Sequence, residues 1–352
     1  MVLTPPTALW VVPVSDLAGV ARHVLDVARS GIPGWRLVVL TPPGALPERL
    51  RALDAHVVEG AFGPAHGLRA SVATLRDVVR RERPDVVHSH LSYADIVVAL
   101  AAGRRPHLVT TEHGIARDDL VYHRSHARSR FMSRVHRTRL RRFDAVIAVS
   151  DATRAAMREK WRPRREVVVV HNGVDTPASP APREPGLRIL SLARLSPEKR
   201  LPALVDGFAE LRRSHPEATL TLAGTGAEED ALRAQVERLG LDGSVTMPGF
   251  LDPNRAMAEH DVLAMLSVWE NCSYALLDAA ARGMGVVASD VGGNPEMLPR
   301  RSLVRADDTH AVAAALAAQG LDLVARPGLP EWPTVGDMCA RIAETYDEVA
   351  VR

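Results

Sequence analysis

Two cations and two carboxylates in the second half of this 352-residue chain have the types and spacing to do chemistry. Arg194 and Lys199 lie in Leu192-Ala-Arg-Leu-Ser-Pro-Glu-Lys199, and Glu270 precedes Asp278 by eight positions. Lys199 is one of two lysines, with Lys160, against 42 arginines. A chain that takes arginine almost everywhere and lysine here points to a compact ammonium in place of a planar guanidinium. Ser196 reads as an N-cap, Pro197 as the first helical residue and residues 201–211 as helix. Lys199 then falls in a first turn, where the helix dipole disfavours a cation by roughly 0.3–1 kcal/mol. A bound anion would reverse that sign, with Arg194 as second cation. The competing reading is a solvated lysine beside Glu198. Glu270 falls in a loop after a strand and Asp278 on the next helix, which Gly283 ends as C-cap. A carboxylate from each can accept from vicinal hydroxyls of a sugar or ribose. Acidic pairs eight apart are also common without a shared ligand.

The elements that must carry these residues alternate in type. Short β-branched runs at 8–14, 36–40, 86–88, 107–111, 145–149 and 167–171 are separated by helical patterns such as 20–30 and 67–83. Such alternation predicts a parallel sheet with crossover helices. Residues 176–186 are a proline-rich linker. Beyond it the alternation restarts, with strands at 188–193, 219–223, 245–247, 262–266 and 285–289. The expected division is residues 1–175 as a Rossmann-like first domain, 187–333 as a second, and 334–352 as a terminal helix. Val335, Met338, Ile342 and Tyr346 share one face of that helix. Doubly wound domains facing each other place ligands at the carboxyl ends of their strands, in the cleft between them.

Composition bounds the setting. With 46% hydrophobic and 24% charged residues the chain is of soluble globular type. Cys272 and Cys339 cannot build a disulfide framework, and no metal-type Cys/His spacing surrounds them. The run 8–14 reads as a first strand, not a signal peptide, and no apolar run approaches the roughly 20 residues of a spanning helix. A reducing cytoplasm is the expected compartment. The net charge of +2 hides an asymmetry: residues 1–175 carry +10 and residues 176–352 carry −8. Nine arginines fall between Arg117 and Arg142. They suggest an acidic partner, an anionic membrane surface among the candidates, which would make the protein peripheral on the inner face of a membrane. The alternative is a solvated arginine-rich helix. Aromatic content of 4%, with Tyr122 and Phe131 the two aromatics in the cluster, argues against nucleic acid. Asp118-Asp119 and Asp307-Asp308 are read as surface acids, and His88 and His90 as structural histidines at a strand end.

Taken in order, a set of motifs resembles the retaining glycosyltransferases of the two-domain GT-B fold, in their large fourth family (glycosyl transferases group 1). The second half carries Ala193-Arg194 through Glu198-Lys199, Gly224-Thr-Gly226, Glu270 with Asp278, and Gly283 through Asp290. Gly292-Gly293 and Pro295-Glu296 follow. The first half carries Asp85-Val-Val-His-Ser-His90, Thr111-Glu-His-Gly114, Asp144 through Ser150 and Asn172-Gly-Val-Asp175. The resemblance spans nearly the whole chain. It implies an α/β architecture of two Rossmann-like domains, with the C-terminal helix crossing back to the first.

The resemblance also implies roles. A nucleotide-diphosphate sugar (UDP or GDP) would be the donor, with no cofactor and no metal required. The acceptor would be a glycan, a glycolipid or a phosphorylated small molecule, in bacterial envelope or exopolysaccharide synthesis. Arg194 and Lys199 would bind the diphosphate and stabilise the leaving group. Glu270 and the amides of Asn271, Cys272, Ser273 and Tyr274 would contact the transferred sugar and phosphate, and Asp278 the ribose. Gly224 and Gly226 belong to the donor-binding set. His113 would reach the donor sugar from the first domain, and Gly19 would lie near acceptor and diphosphate. Four features depart from the family pattern: Asp278 for its second glutamate, Ala193 and Arg200 for glycines, Ala18-Gly19 for a glycine pair, and Asn271–Tyr274 for a glycine-rich loop. They motivate one alternative, a catalytically degenerate sugar-nucleotide-binding partner protein; a nucleotide-sugar epimerase, which keeps the fold and changes the reaction, is another. A phosphorylase dependent on pyridoxal phosphate is disfavoured, since only Lys160 and Lys199 could form its Schiff base.

Overall fold

The computed structural model describes residues 5–115, 126–176, 184–329 and 331–351. The chain divides into two compact units, Met1–Gly173 with Pro333–Arg352, and Val174–Trp332. In the first unit β1 (Thr7–Val11), β2 (Arg36–Thr41), β3 (His56–Glu59), β4 (Val86–His90), β5 (His107–Glu112), β6 (Ala145–Ala148) and β7 (Val167–Val169) form one parallel sheet. Its order is β3-β2-β1-β4-β5-β6-β7. Every residue of β1 and β4 is buried, as in a sheet covered on both faces by helices. The edge strand β3 has no counterpart in the sequence reading. It is four residues long, with exposed ends and no alternation strong enough to announce it.

The second unit repeats the plan. Strands β8 (Arg188–Leu192), β9 (Thr219–Ala223), β10 (Val245–Gly249), β11 (Val262–Met265), β12 (Gly285–Ser289) and β13 (Leu303–Val304) are parallel, in the order β10-β9-β8-β11-β12-β13. In both sheets the strand order reverses once, between β1 and β4 and between β8 and β11. Open parallel sheets bind ligands outside the carboxyl ends of their strands at such reversals. Connections leaving β1, β4, β8 and β11 are therefore where functional side chains are expected.

The last helix, Val335–Ala350, belongs to the first unit. Thr334 Oγ1 accepts from the Asp337 amide at 3.1 Å, and Asp337 Oδ2 accepts from the Thr334 amide at 2.9 Å, closing a capping box. The face expected from spacing is the buried one: Val335, Met338, Ile342 and Tyr346 join the core of Trp10, Val39 and Val86. Trp10 Nε1 donates to the Tyr346 hydroxyl at 2.8 Å, and Trp35 Nε1 to Asp347 Oδ1 at 3.0 Å. Buried indole N–H groups need such acceptors. Among the described residues no helix is long and apolar enough to cross a membrane.

Candidate active site

In the second unit the chain leaving β8 enters a single 3₁₀ turn, Pro197–Lys199. Arg200 then adopts a left-handed conformation at φ 48°, and the α-helix Leu201–Arg212 begins after it. The expected first α-helical turn at Lys199 is thus corrected to a 3₁₀ turn, because proline stiffens its start and Arg200 breaks the register. Ser196 occupies the N-cap position without capping through its side chain. Its hydroxyl donates instead to Glu198 Oε1 at 2.7 Å. Arg194 Nη2 donates to the same oxygen at 2.9 Å, so Glu198 ties the loop together while the Arg194 side chain stays 75% exposed. The Glu198 carbonyl accepts from the Val268 amide at 2.8 Å, joining this loop to the one that follows β11.

That second loop supplies the counter-charge. Lys199 Nζ donates to Glu270 Oε1 at 2.5 Å, with the two side chains 19% and 13% exposed. The lysine is not the solvated residue beside Glu198 that local sequence allowed; its partner lies 71 positions away. A cation and a carboxylate held together at the mouth of a parallel sheet leave lysine protons and carboxylate lone pairs for an anion and a hydroxyl. Past Glu270 the chain runs through Asn271, Cys272 and Ser273 into the helix Tyr274–Ala281, which buries Asp278. Asn271 Oδ1 accepts from Trp269 Nε1 at 3.3 Å, and Cys272 is a buried thiol.

Glycines bring these loops close. A Cβ on Gly292, at φ 55°, would stand 1.9 Å from the Glu270 carbonyl oxygen, which accepts from the Gly293 amide at 2.9 Å. A Cβ on Gly224 would meet the Ala193 carbonyl oxygen at 1.9 Å, and one on Gly226 the Leu195 carbonyl oxygen at 2.2 Å. The Leu195 amide donates to the Thr225 carbonyl at 3.0 Å. Gly224 and Gly226 therefore seat the Arg194 loop by close backbone approach. Gly19 opens the helix Gly19–Ser30, and a Cβ there would meet nothing within 4 Å.

The first unit assembles histidines at its own reversal. His88 and His90 end β4, His113 follows β5, and His23 lies on the helix after β1. His88 behaves as a structural residue: its Nδ1 is 2.6 Å from the Tyr346 hydroxyl and its Nε2 2.7 Å from Thr111 Oγ1. His90 does not. Its Nδ1 lies 2.9 Å from His113 Nε2, and its buried Nε2 has no partner among the described residues. Burial lowers the His23 pKa to about 4, and burial with neighbouring imidazoles holds His88, His90 and His113 well below the ordinary histidine value. One nitrogen each of His23, His90 and His113 lie within 4.8 Å of one another, a spacing a metal ion could bridge.

A buried ion cluster supports the same loop. Arg139 pairs with Asp95 and, at 3.4 Å, with Glu112 Oε2, and its guanidinium stacks over Trp161 with 5.2 Å to the ring centroid. Asp95 Oδ1 also accepts from Ser89 Oγ at 2.5 Å and Thr110 Oγ1 at 2.8 Å. Glu112 Oε1 accepts from the Gly114 amide at 3.1 Å, which fixes the chain on either side of His113. Burial raises the Glu112 carboxyl to about 7 and lowers Arg139 to about 9.

The sequence reading missed His23, Asp95, Glu112 and Arg139. His23 had one available signal: it sits on the buried stripe of its helix beside Val24 and Val27. Arg139 is one of the nine clustered arginines, yet it is 4% exposed and paired with Asp95 and Glu112, so it adds nothing to a basic surface. Arg117, Arg124 and the pair Asp118-Asp119 lie outside the described residues. Asp307 pairs with Arg305, and Asp308 caps the helix Thr309–Leu321 through the Ala311 amide at 2.9 Å, so both are surface acids with local partners.

Comparison with known proteins finds relatives for both halves of the chain. Residues 17–177 match the family model described as Glycosyltransferase Family 4, and residues 186–319 that described as Glycosyl transferases group 1. A glycogen synthase of Mycobacterium tuberculosis is 28% identical over 319 residues, spanning 81% of this chain and 77% of its own. An N-acetyl-alpha-D-glucosaminyl L-malate synthase of Bacillus anthracis is 26% identical over 263 residues, spanning 69% of this chain and 67% of its own. Among solved structures, Anabaena Alr3699/HepE in complex with UDP-glucose superposes with a TM-score of 0.77 at 22% identity, over 98% of both chains.

Proposed function

This chain belongs to the glycosyl transferases group 1, a glycosyltransferase of the GT-B fold, and we propose that it moves a sugar from a nucleotide-diphosphate donor to a hydroxyl acceptor with retention of anomeric configuration. The observation that carries this reading is the Lys199–Glu270 pair at the strand-order reversal of the second unit, with Arg194 in the adjoining loop. Loss of a nucleoside diphosphate builds negative charge on phosphate oxygens. Fixed cations stabilise that charge more in the transition state than in the ground state. Lys199 and Arg194 take the diphosphate. Glu270, with the amides from Asn271 to Tyr274, takes the sugar and the adjacent phosphate, and Asp278 takes the ribose hydroxyls. His113 is assigned to the sugar hydroxyls and Gly19 to the acceptor side on the family resemblance.

The bond between the anomeric carbon and the phosphate oxygen breaks, and the acceptor oxygen joins the same face of that carbon. The acceptor's proton passes to the departing phosphate oxygen. No protein nucleophile is assigned. The UDP-glucose bound by the Anabaena protein supports a UDP-sugar as the first donor to try. An anionic membrane surface, met by the arginines between Arg117 and Arg142 other than the buried Arg139, is the proposed setting for a lipid-linked acceptor.

The test is to incubate the protein with UDP-, GDP- and ADP-sugars and follow nucleotide release with and without candidate acceptors. Acceptor-dependent release with an α-linked product from an α-linked donor is the expected result. No nucleotide binding at all would overturn the donor-site assignments, and binding without turnover would favour a degenerate partner protein.

A further inference from the structure

Only one hydrogen can lie between His90 Nδ1 and His113 Nε2, which are 2.9 Å apart. The rest of the His90 ring decides which nitrogen owns it. His90 is fully buried, and its Nε2 has no partner among the described residues. Were Nδ1 the acceptor, Nε2 would carry an N–H with nothing to bond, and orphaned buried N–H groups are the rarer kind. With Nδ1 as donor, Nε2 keeps only a bare lone pair.

His88 shows the contrast. The Trp10 indole can only donate, so the Tyr346 oxygen accepts from it and gives its own hydrogen to His88 Nδ1. His88 Nε2–H is then left for Thr111 Oγ1. Both nitrogens of His88 are used, and no hydrogen reaches His90 from that side.

We propose that His90 is a positioning residue that donates from Nδ1 to His113 Nε2 and so holds His113 in its Nδ1–H tautomer. His113 then presents a donor at Nδ1, a nitrogen with no partner among the described residues, toward a ligand oxygen. This consequence rests on the reading that His113 contacts the hydroxyls of the transferred sugar. The ring plane is fixed as well: His23 packs edge-on at 4.9 Å between centroids, and His90 lies 5.2 Å away at 30°. A metal ion held by His23, His90 and His113 is the alternative occupant of this cluster. Ligation through His90 Nδ1 would break the hydrogen bond to His113 and leave Nε2–H without an acceptor, whereas ligation through Nε2 would show as metal binding in the test below.

Histidine-selective ¹⁵N NMR on the full chain tests the assignment directly. His113 should show a protonated Nδ1 and an unprotonated Nε2. His90→Asn, which keeps an N–H donor at the δ position, should preserve that tautomer and hold kcat/KM for the sugar donor within about threefold. His90→Asp offers only an acceptor, and should move the hydrogen to His113 Nε2 and lower kcat/KM by about tenfold. A wild-type His113 protonated at Nε2 would overturn the proposal whether or not the variants fold, as would a loss in His90→Asn equal to that in His90→Asp. Stoichiometric Co(II) binding that disappears in His90→Phe would overturn it in favour of a metal site. If the tautomer is found but His113→Ala leaves donor kinetics unchanged, the sugar-contact reading fails and the tautomer assignment stands.

Discussion

The two units place opposite chemistry at the same point of the same topology. At the reversal between β1 and β4 stand imidazoles that are buried or, at His113, half-buried, packed on one another and held neutral. At the reversal between β8 and β11 stand an ammonium and a carboxylate joined at 2.5 Å, with an exposed guanidinium beside them. The first arrangement works by the direction of hydrogen bonds and tolerates no stray charge. The second works by charge, and its partners are near enough to water to be exchanged for a ligand. In the first unit the charged residues sit on the other face of the sheet from His88 and His90, where Arg139 is closed off by Asp95 and Glu112. Removing a charge should therefore unfold one unit and merely silence the other.

The largest expected effect is on the first unit. Arg139→Ala leaves two buried carboxylates without their cation and should cost about 3–5 kcal/mol of stability in urea unfolding. A loss under about 1 kcal/mol would mean the cluster is not closed to water. In the second unit, Lys199→Ala should lower kcat/KM for the sugar donor by about 10²- to 10³-fold while the unfolding midpoints stay in place. Lys199→Arg should not restore it, because a planar fork does not replace a compact ammonium. A fall in the unfolding midpoint would make the pair structural and erase the contrast.

Acidity probes the contrast more gently. The unfolded chain takes up a histidine proton near the ordinary value of 6.5, whereas folded His23 does so only at about 4. The folded state binds fewer protons between those values, so stability is lost as pH falls through them, by about 3 kcal/mol for this group at the acid end. His88, His90 and His113 act in the same sense. Glu112, raised from 4.5 to about 7, acts in the opposite one: its contribution is present below pH 4.5 and lost as pH rises through 7. Urea midpoints of the first unit between pH 7 and 4.5 should fall, and should fall more steeply in Glu112→Gln. A midpoint that rises toward acid would contradict the neutral cluster. The smallest effect concerns the surface. Association with vesicles should require anionic lipid and fade with salt, at about 1 kcal/mol per arginine near the bilayer. Equal binding to neutral vesicles would remove the membrane from the reading.

The charged site was far more legible in the sequence than the neutral one. Lys199 stood out because the composition uses lysine twice, and Glu270 followed from its place after a strand. Their contact was not legible, since it depends on two loops brought together by Gly292 and the Glu198 carbonyl. The alternation of strands and helices announced both sheets, while β3 escaped for want of periodicity. The histidine cluster draws from one helix and two strand ends, positions 23, 90 and 113, with no spacing rule to join them. A buried imidazole on an apolar helix face reads as packing until its neighbours are known.

The helix Val335–Ala350 has a consequence for how the protein is made. Tyr346 completes the hydrogen bonding of Trp10 and His88 and fills the core under β1, yet it emerges from the ribosome after the whole second unit. A chain whose last helix has yet to dock holds every residue of the second unit and a first unit with an open flank, Trp10 and Trp35 lacking their acceptors. The usual order of synthesis, in which the earlier domain folds first, is reversed here: the half begun first is the half closed last.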